Sequence, residues 1–237
     1  GLQGVLVGTG FVEHHDPLLT NRWHHLTTLG STTGLKVEVH KLPRWPGRLR
    51  PPPTREILDA SVPSALGVVG ISAPTPLHHA LILAAHAWHH EPLWTLRDLI
   101  DIAAVSALVD RRDLDRTAKV WGLGRLWRTT ERAIEGLFYG GRKTFPLRTW
   151  ARHLGVVRDR TGLEKHVAQL VDGFWGMPPH LAPVPTIRVL RYMITPAPGE
   201  SWRQRAARVP QDLGKLPAPA GRRGEPPAPT PREPPLS

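Results

Sequence analysis

The sequence contains no cysteine, which excludes disulfides, zinc–thiolate sites, iron–sulfur clusters and a thiol nucleophile. It also has no apolar run that approaches the roughly 20 residues of a membrane-spanning helix. The longest apolar stretch, around residues 80–87, is interrupted by His86. The P-loop, GxGxxG and GxSxG motifs are missing as well. No basic segment precedes an apolar one near the first residue, so no secretory signal is visible and we expect a cytoplasmic location.

Basic residues are in clear excess in this chain of 237 residues, whose length allows one or two domains with a sizeable core. There are 31 lysines and arginines against 20 acidic residues, which gives a net charge of +11. These residues are scattered among 26 prolines and 22 glycines, a bias typical of GC-rich coding that raises the pI without a nucleic-acid role. A positive field still favours phosphate-bearing ligands. We expect no arginine stripe along a helix and find no aromatic RNA-binding pattern, so we predict no nucleic-acid binding.

The chain divides by composition into four segments. They are a strand-and-turn region, a proline-rich connector, a helical region and a proline-rich tail, at residues 1–45, 46–76, 77–195 and 196–237. The best strand candidates are residues 5–7 and 35–39, and the connector holds one short helix at 54–60 that Thr54 is expected to cap. We therefore predict an α+β fold, with a partial sheet followed by a helical bundle and a disordered tail.

Helices in the helical region are predicted from apolar spacing and capping residues. Thr75 and Pro76 suit the start of the first helix, which is apolar nearly all round and is therefore expected to be central. Thr95 is expected to cap the second helix. The predicted helices cover residues 77–88, 95–109, 113–120, 125–138 and 163–174, and a short basic helix is expected at 200–208 within the tail.

The strand at 35–39 carries the first candidate site. Its sequence alternates, so that Val37 and Val39 face one side while Glu38 and His40 face the other. Glu38 and His40 are two positions apart and therefore lie about 6 to 7 Å apart on the same face. A carboxylate that faces a cleft can hold Mg²⁺ or activate a hydroxyl. The alternative is an edge strand on which both side chains face solvent.

The histidines carry a second candidate site, since 13 of them occur and many are adjacent. His86 and His90 are four positions apart on one predicted helix and could share a metal ion. Together with Asp98 or Asp101 they would suit a metal hydrolase, although Ala87 stands where the zincin motif requires glutamate. The alternative is a set of histidines that form hydrogen bonds at the end of a helix.

Two weaker signals complete the candidates. Asp98 and Asp101 lie three positions apart on the second helix, where they either line a cleft beside the strand region or pair with basic neighbours. Gly30 and Ser31 form a turn whose backbone N–H groups could bind phosphate.

The order of these parts resembles a known family. A Gly10-Phe11 turn precedes a Trp-His-His-Leu stretch at 23–26, the Val-Glu-Val-His strand at 37–40 and Trp45. A proline-rich link then leads to the histidine-rich helix at 75–90 and to the Leu-Arg-Asp-Leu helix within 93–104. This arrangement, over roughly residues 5–140, resembles the uncharacterised nucleotidyltransferase family of bacterial proteins. That family is similar to the polymerase-beta-type superfamily of nucleotidyltransferases.

The resemblance implies a mechanism and a set of site residues. In the family, three carboxylates hold two Mg²⁺ ions that bridge the triphosphate of an NTP and activate an acceptor hydroxyl for attack at the α-phosphorus. Glu38 matches the third carboxylate, and is the expected catalytic and metal-binding residue. His40 and Asp98 are the expected cofactor-binding residues.

The sequence departs from the family at its first signature, Gly-Ser followed about ten residues later by Asp-x-Asp. Gly30-Ser31 does not supply it, because the Glu38 strand follows too soon and carries one carboxylate. We therefore expect an N-terminally truncated or degenerate member that is inactive by itself. The alternative function is a non-enzymatic, basic helical module that binds an acidic or nucleic-acid partner.

Overall fold

A computed structural model of the chain describes residues 2–14, 27–34, 36–37, 39–40, 43–47, 49–196 and 199–214. Small antiparallel sheets near the beginning are followed by a helical region, so the prediction of an α+β fold is confirmed. Within these described ranges, no helix is both long enough and apolar enough to span a membrane.

The first element corrects the sequence prediction. Helix α1 spans Leu2–Gly8, where a strand at 5–7 was predicted, and the strand prediction is wrong. Val5 and Val7 are exposed, so no sheet face buries them. A strand needs a neighbour to satisfy its backbone groups, whereas a helix satisfies most of its own, and this outweighs the weak strand preference of valine.

A three-stranded antiparallel sheet follows, with β1 at Val12–His14, β2 at Thr28–Gly30 and β3 at Lys36–Val37, in that spatial order. Leu29 of β2 pairs with Val37 and is fully buried. The predicted strand is thus confirmed at residues 36–37, while Leu35 and Glu38 lie outside the described residues. The Gly30-Ser31 signal falls on a reverse turn in which the Gly34 N–H donates to the Ser31 carbonyl at 3.0 Å.

The connector contains helix α2 at Thr54–Asp59 and a two-stranded sheet of β4 at Val62–Pro63 and β5 at Ser72–Ala73. The helix is close to its predicted bounds, but Thr54 is its first residue rather than its cap. Pro53 precedes it, and the buried Thr54 hydroxyl makes no hydrogen bond.

Ten helices follow in the described part of the chain from residue 76 onward. They are α3 at Pro76–His90, α4 at Leu96–Ser106, α5 at Arg111–Val120, α6 at Gly124–Phe138, α7 at Phe145–Arg148, α8 at Arg152–Gly155, α9 at Gly162–Val171, α10 at Gly173–Gly176, α11 at Pro183–Ile194 and α12 at Trp202–Gly214. The first four confirm the predicted helices, whereas α7, α8 and α11 were not predicted.

Helix α3 is central, as its apolar sequence predicts. The Thr75 hydroxyl accepts a hydrogen bond from the His78 N–H at 3.3 Å, which caps the helix start. The helix packs along α4 and against α6. On its buried side, the Trp88 indole N–H donates to the Thr130 hydroxyl of α6 at 2.8 Å. The C-terminal end of α3, with its three histidines, is therefore fixed against the core.

The helix predicted at 163–174 is divided in two. Helix α9 begins at a capping box between Thr161 and Glu164, and α10 begins at Gly173 after Asp172. A Cβ at Gly173 would lie 2.5 Å from the Ala182 carbonyl oxygen, so glycine permits this close packing.

Helix α12 begins at Trp202, two residues after the predicted start of the basic helix at 200–208, and extends beyond its predicted end to residue 214. Its described part forms contacts with α9 and α11. The predicted disorder of residues 215–237 concerns residues outside the described ranges.

Candidate functional site

A cluster of basic side chains, here called the histidine cluster, forms where the strand region meets the end of α3. It consists of His40, Arg44, His86, His89 and His90. The helical spacing of four brings the His86 and His90 rings together, with ring centroids 4.6 Å apart. The His89 and His90 ring centroids are 5.7 Å apart. Three histidines of α3 therefore lie beside His40 and Arg44, which precede the connector in the sequence.

Two hydrogen bonds join the cluster to the segment before the connector. The His89 Nδ1 donates to the Trp45 carbonyl at 2.8 Å, and an Arg44 Nη1 donates to His90 Nε2 at 3.1 Å. A guanidinium group can only donate, so His90 Nε2 accepts this bond with its lone pair. His90 is therefore neutral in this contact, and Arg44 supplies the permanent positive charge.

The electrostatic setting of His86 is strongly cationic. Burial is the main cause that lowers the pKa of His86 to about 4, and His90, Arg44, His40 and His89 lower it further. His86 is consequently neutral at pH 7, with one ring nitrogen able to donate and the other able to accept. Every group that acts on it is basic. The permanent charge of Arg44 favours an anion at this site.

The predicted residues are only partly brought together. His40 and the His86–His90 pair do meet in the histidine cluster. Asp98 lies in the first turn of α4, where its N–H donates to the Thr95 hydroxyl at 3.1 Å, and it is not among the groups that act on His86. Asp101 is exposed on the same helix. Glu38 lies outside the described residues.

The described residues do not form a magnesium site. Mg²⁺ prefers oxygen ligands, whereas the histidine cluster offers imidazole nitrogens and a guanidinium group. In the described ranges there is no group of three histidine or acidic side chains that could hold a metal ion.

Ion pairs hold the residues that directly follow the histidine cluster, and the sequence did not predict them. Glu91 follows α3 and forms ion pairs with Lys165 at 2.6 Å and with Arg160 at 3.3 Å. Arg160 also donates from one Nη2 to the Pro92 and Leu93 carbonyls at 2.9 and 2.8 Å. Burial lowers the pKa of Arg160, and Glu91 opposes that effect. The end of α3 is thus tied to the start of α9.

Other histidines have structural roles. The His153 Nε2 donates to the Trp94 carbonyl at 2.8 Å. The His78 ring lies 5.0 Å from the Trp121 ring, and the Trp121 indole N–H donates to a Glu56 carboxylate oxygen at 2.9 Å. Burial lowers the pKa of both His78 and His153. Packing explains the position of His78, and a hydrogen bond explains that of His153.

A second site, here called the arginine groove, was missed by the sequence analysis. It has a volume of about 440 Å³ and is lined by Arg125, Arg128, Thr129, Arg132, Thr144, Phe145, Pro146 and Trp175. The three arginines lie on one face of α6, so the expectation that no arginine stripe follows a helix is wrong. The signal was the spacing of three and four positions between the arginines.

Comparisons with protein-family models, with curated proteins and with solved structures found no match to this chain.

Proposed function

We propose that this chain is part of a nucleotidyltransferase-like protein that transfers a nucleotidyl group from an NTP to a hydroxyl acceptor. The observation that carries the proposal is the histidine cluster. His40 lies three positions after β3 and is close enough to His86 of the histidine-rich helix to act on its pKa, and His86 lies beside His90, although the two segments are far apart in sequence. The two most specific parts of the family resemblance are therefore neighbours in space.

The charges of the cluster suit a triphosphate. Arg44 carries a permanent positive charge, and the neutral imidazole of His86 can donate one hydrogen bond. In the proposal these groups bind and orient the phosphates of the NTP. Glu38, two positions before His40, is the proposed carboxylate of the reaction. The Mg²⁺ chemistry of the family needs further carboxylates that the described residues do not supply, so we propose that this chain binds NTP without turning it over.

The test is calorimetric titration of the chain with ATP, GTP, CTP and UTP, each with Mg²⁺. We expect one of them to bind, and we expect Arg44→Gln to weaken that binding about tenfold, the scale of one charge-assisted hydrogen bond. Arg50→Gln is the matched control, because Arg50 is an exposed arginine of the same segment and forms no ion pair with a described carboxylate.

Two results would contradict the proposal. One is the absence of binding by all four nucleotides, and the other is binding that Arg44→Gln leaves unchanged. A separate assay measures Mg²⁺-dependent release of pyrophosphate. Clear turnover by this chain would show that the metal ligands have been assigned to the wrong residues.

A further inference from the structure

The arginine groove presents three positive charges in a row along α6. Arg125, Arg128 and Arg132 are separated by three and four positions and so project from the same side of the helix. Arg128 and Arg132 are exposed. None of the three forms an ion pair with a carboxylate in the part of the chain that the structure describes. Their charges are therefore available to an anionic ligand.

Hydrogen bonds within the protein orient two of these arginines. Arg125 donates from Nη2 to the Phe174 carbonyl, and Arg128 donates from Nε to the Gly124 carbonyl at 3.0 Å. The Arg128 bond uses only the Nε hydrogen and leaves both Nη groups for a ligand. The groove thus has partly preorganised donors, which reduces the entropy lost when a ligand binds.

Two aromatic side chains also line the groove. The Phe145 and Trp175 rings are stacked, with centroids 5.0 Å apart and planes within 5° of parallel. Trp175 covers one face of the Phe145 ring, yet the Phe145 residue is 47% exposed. A second planar group can therefore stack on the uncovered face of Phe145.

The groove also contains an unsatisfied polar atom. The Thr144 hydroxyl is buried and makes no hydrogen bond, although Thr144 lines the groove. By contrast, the neighbouring Thr129 hydroxyl contacts the Arg125 and Trp175 carbonyls at 2.9 and 3.0 Å.

We propose that the arginine groove is a binding site for a mononucleotide, with its phosphate on Arg128 and Arg132 and its base stacked on Phe145. Arginine side chains suit phosphate oxygens, and an aromatic ring accepts any planar base. The volume of about 440 Å³ falls within the range typical of small-ligand sites. The arginine row covers only about 10 Å of helix, which suits one nucleotide better than a polymer.

The groove shares no residue with the histidine cluster. This proposal therefore does not depend on the proposed nucleotidyltransferase function, and the two respond to different variants. Arg44→Gln is expected to leave the groove unchanged, whereas Arg128→Gln/Arg132→Gln is expected to leave the histidine cluster unchanged.

The test uses 2-aminopurine riboside 5′-monophosphate, whose fluorescence falls when its base stacks on an aromatic ring. We expect saturable quenching by the intact chain. Replacing two phosphate-binding arginines in Arg128→Gln/Arg132→Gln should weaken binding more than tenfold, and Phe145→Ala should remove most of the quenching and weaken binding about tenfold. Arg112→Gln/Arg152→Gln removes the same charge from exposed residues that do not line the groove, and should leave binding unchanged.

Inorganic pyrophosphate and a 12-nucleotide oligo(dT) serve as competitors. We expect pyrophosphate to displace the probe. Pyrophosphate binding should depend less on Phe145 than on the arginines, which would support separate contacts for the phosphate and the base. The proposal is overturned if the probe does not bind, or if all variants bind it equally. It is also overturned if the oligonucleotide binds while the mononucleotide does not, since the groove would then be part of a nucleic-acid surface. Circular dichroism melting checks that each variant is folded.

Discussion

Replacing Glu164 by glutamine should reveal how strongly one carboxylate stabilises the start of α9. Glu164 accepts hydrogen bonds from two Arg158 nitrogens at 2.8 and 2.6 Å, and from the Thr161 N–H at 2.9 Å. The Arg158 hydrogen bond is the main cause that lowers the pKa of Glu164 from 4.5 to about 2, with a smaller contribution from Thr161. Burial acts in the opposite direction.

The size of the effect follows from the two pKa values. A fall from 4.5 to about 2 corresponds to about 3 kcal/mol, since each pKa unit is equivalent to about 1.4 kcal/mol. The Arg158 side chain is 38% exposed, so solvent screening reduces the expected contribution to about 1–2 kcal/mol. Because the folded-state pKa is depressed, this stability is complete above about pH 4.5 and is lost as the pH falls towards 2.

The measurement is urea unfolding at pH 7 and at pH 3, followed by circular dichroism. Glu164→Gln should lower the free energy of unfolding by about 1–2 kcal/mol at pH 7 and by less than half as much at pH 3, which lies between the folded and unfolded pKa values. Asp59→Asn is the control, because the Arg55–Asp59 pair is 89% and 68% exposed and should contribute little. An equal loss at both pH values for Glu164→Gln would refute the reasoning, since it would mean that the carboxylate charge plays no part.

Two further predictions concern helix α10 and the residue before it. A Cβ at Gly176 would lie 2.5 Å from the Trp88 ring, so Gly176→Ala should destabilise the chain by about 1–3 kcal/mol in thermal or urea unfolding. Gly4→Ala has open space around the added carbon, and should not destabilise. Burial raises the pKa of Asp172 from 3.8 to about 6, so stability should fall by about 2 kcal/mol as the pH rises from 4 to above 6. Asp172→Asn should abolish that fall, and an unchanged pH profile in this variant would count against the buried carboxylate as its cause.

The helices were predictable where local signals agreed with each other. Thr75 and Thr95 cap α3 and α4, as their sequence positions indicate. Helix α11 was not predicted, and its first turn contains Pro183 and Pro185, which are tolerated there because a first-turn residue needs no N–H partner within the helix. The strand predicted at residues 5–7 rested on valine content alone, and such a preference is overridden when no partner strand is present.

The sequence predicted the two candidate sites to different extents. The proximity of His86 and His90 follows from helical spacing, and was predicted. The approach of His40 to His86 depends on how the connector folds, and it was not predicted from the sequence. The arginine groove depends on Phe145 and Trp175, which are 30 positions apart and meet only after α7 and α10 have packed beside α6. No local pattern contains that information.

The position of Trp88 links the two sites. Its indole donates to Thr130, which is adjacent to the groove residue Thr129, and the next residue along α3 is His89 of the histidine cluster. The ring also occupies the space that a side chain at Gly176 would need, directly after Trp175. Trp88 therefore fixes the end of α3 against both α6 and α10. A substitution that shortens its side chain would remove both contacts, and is expected to loosen the helix end that carries His89.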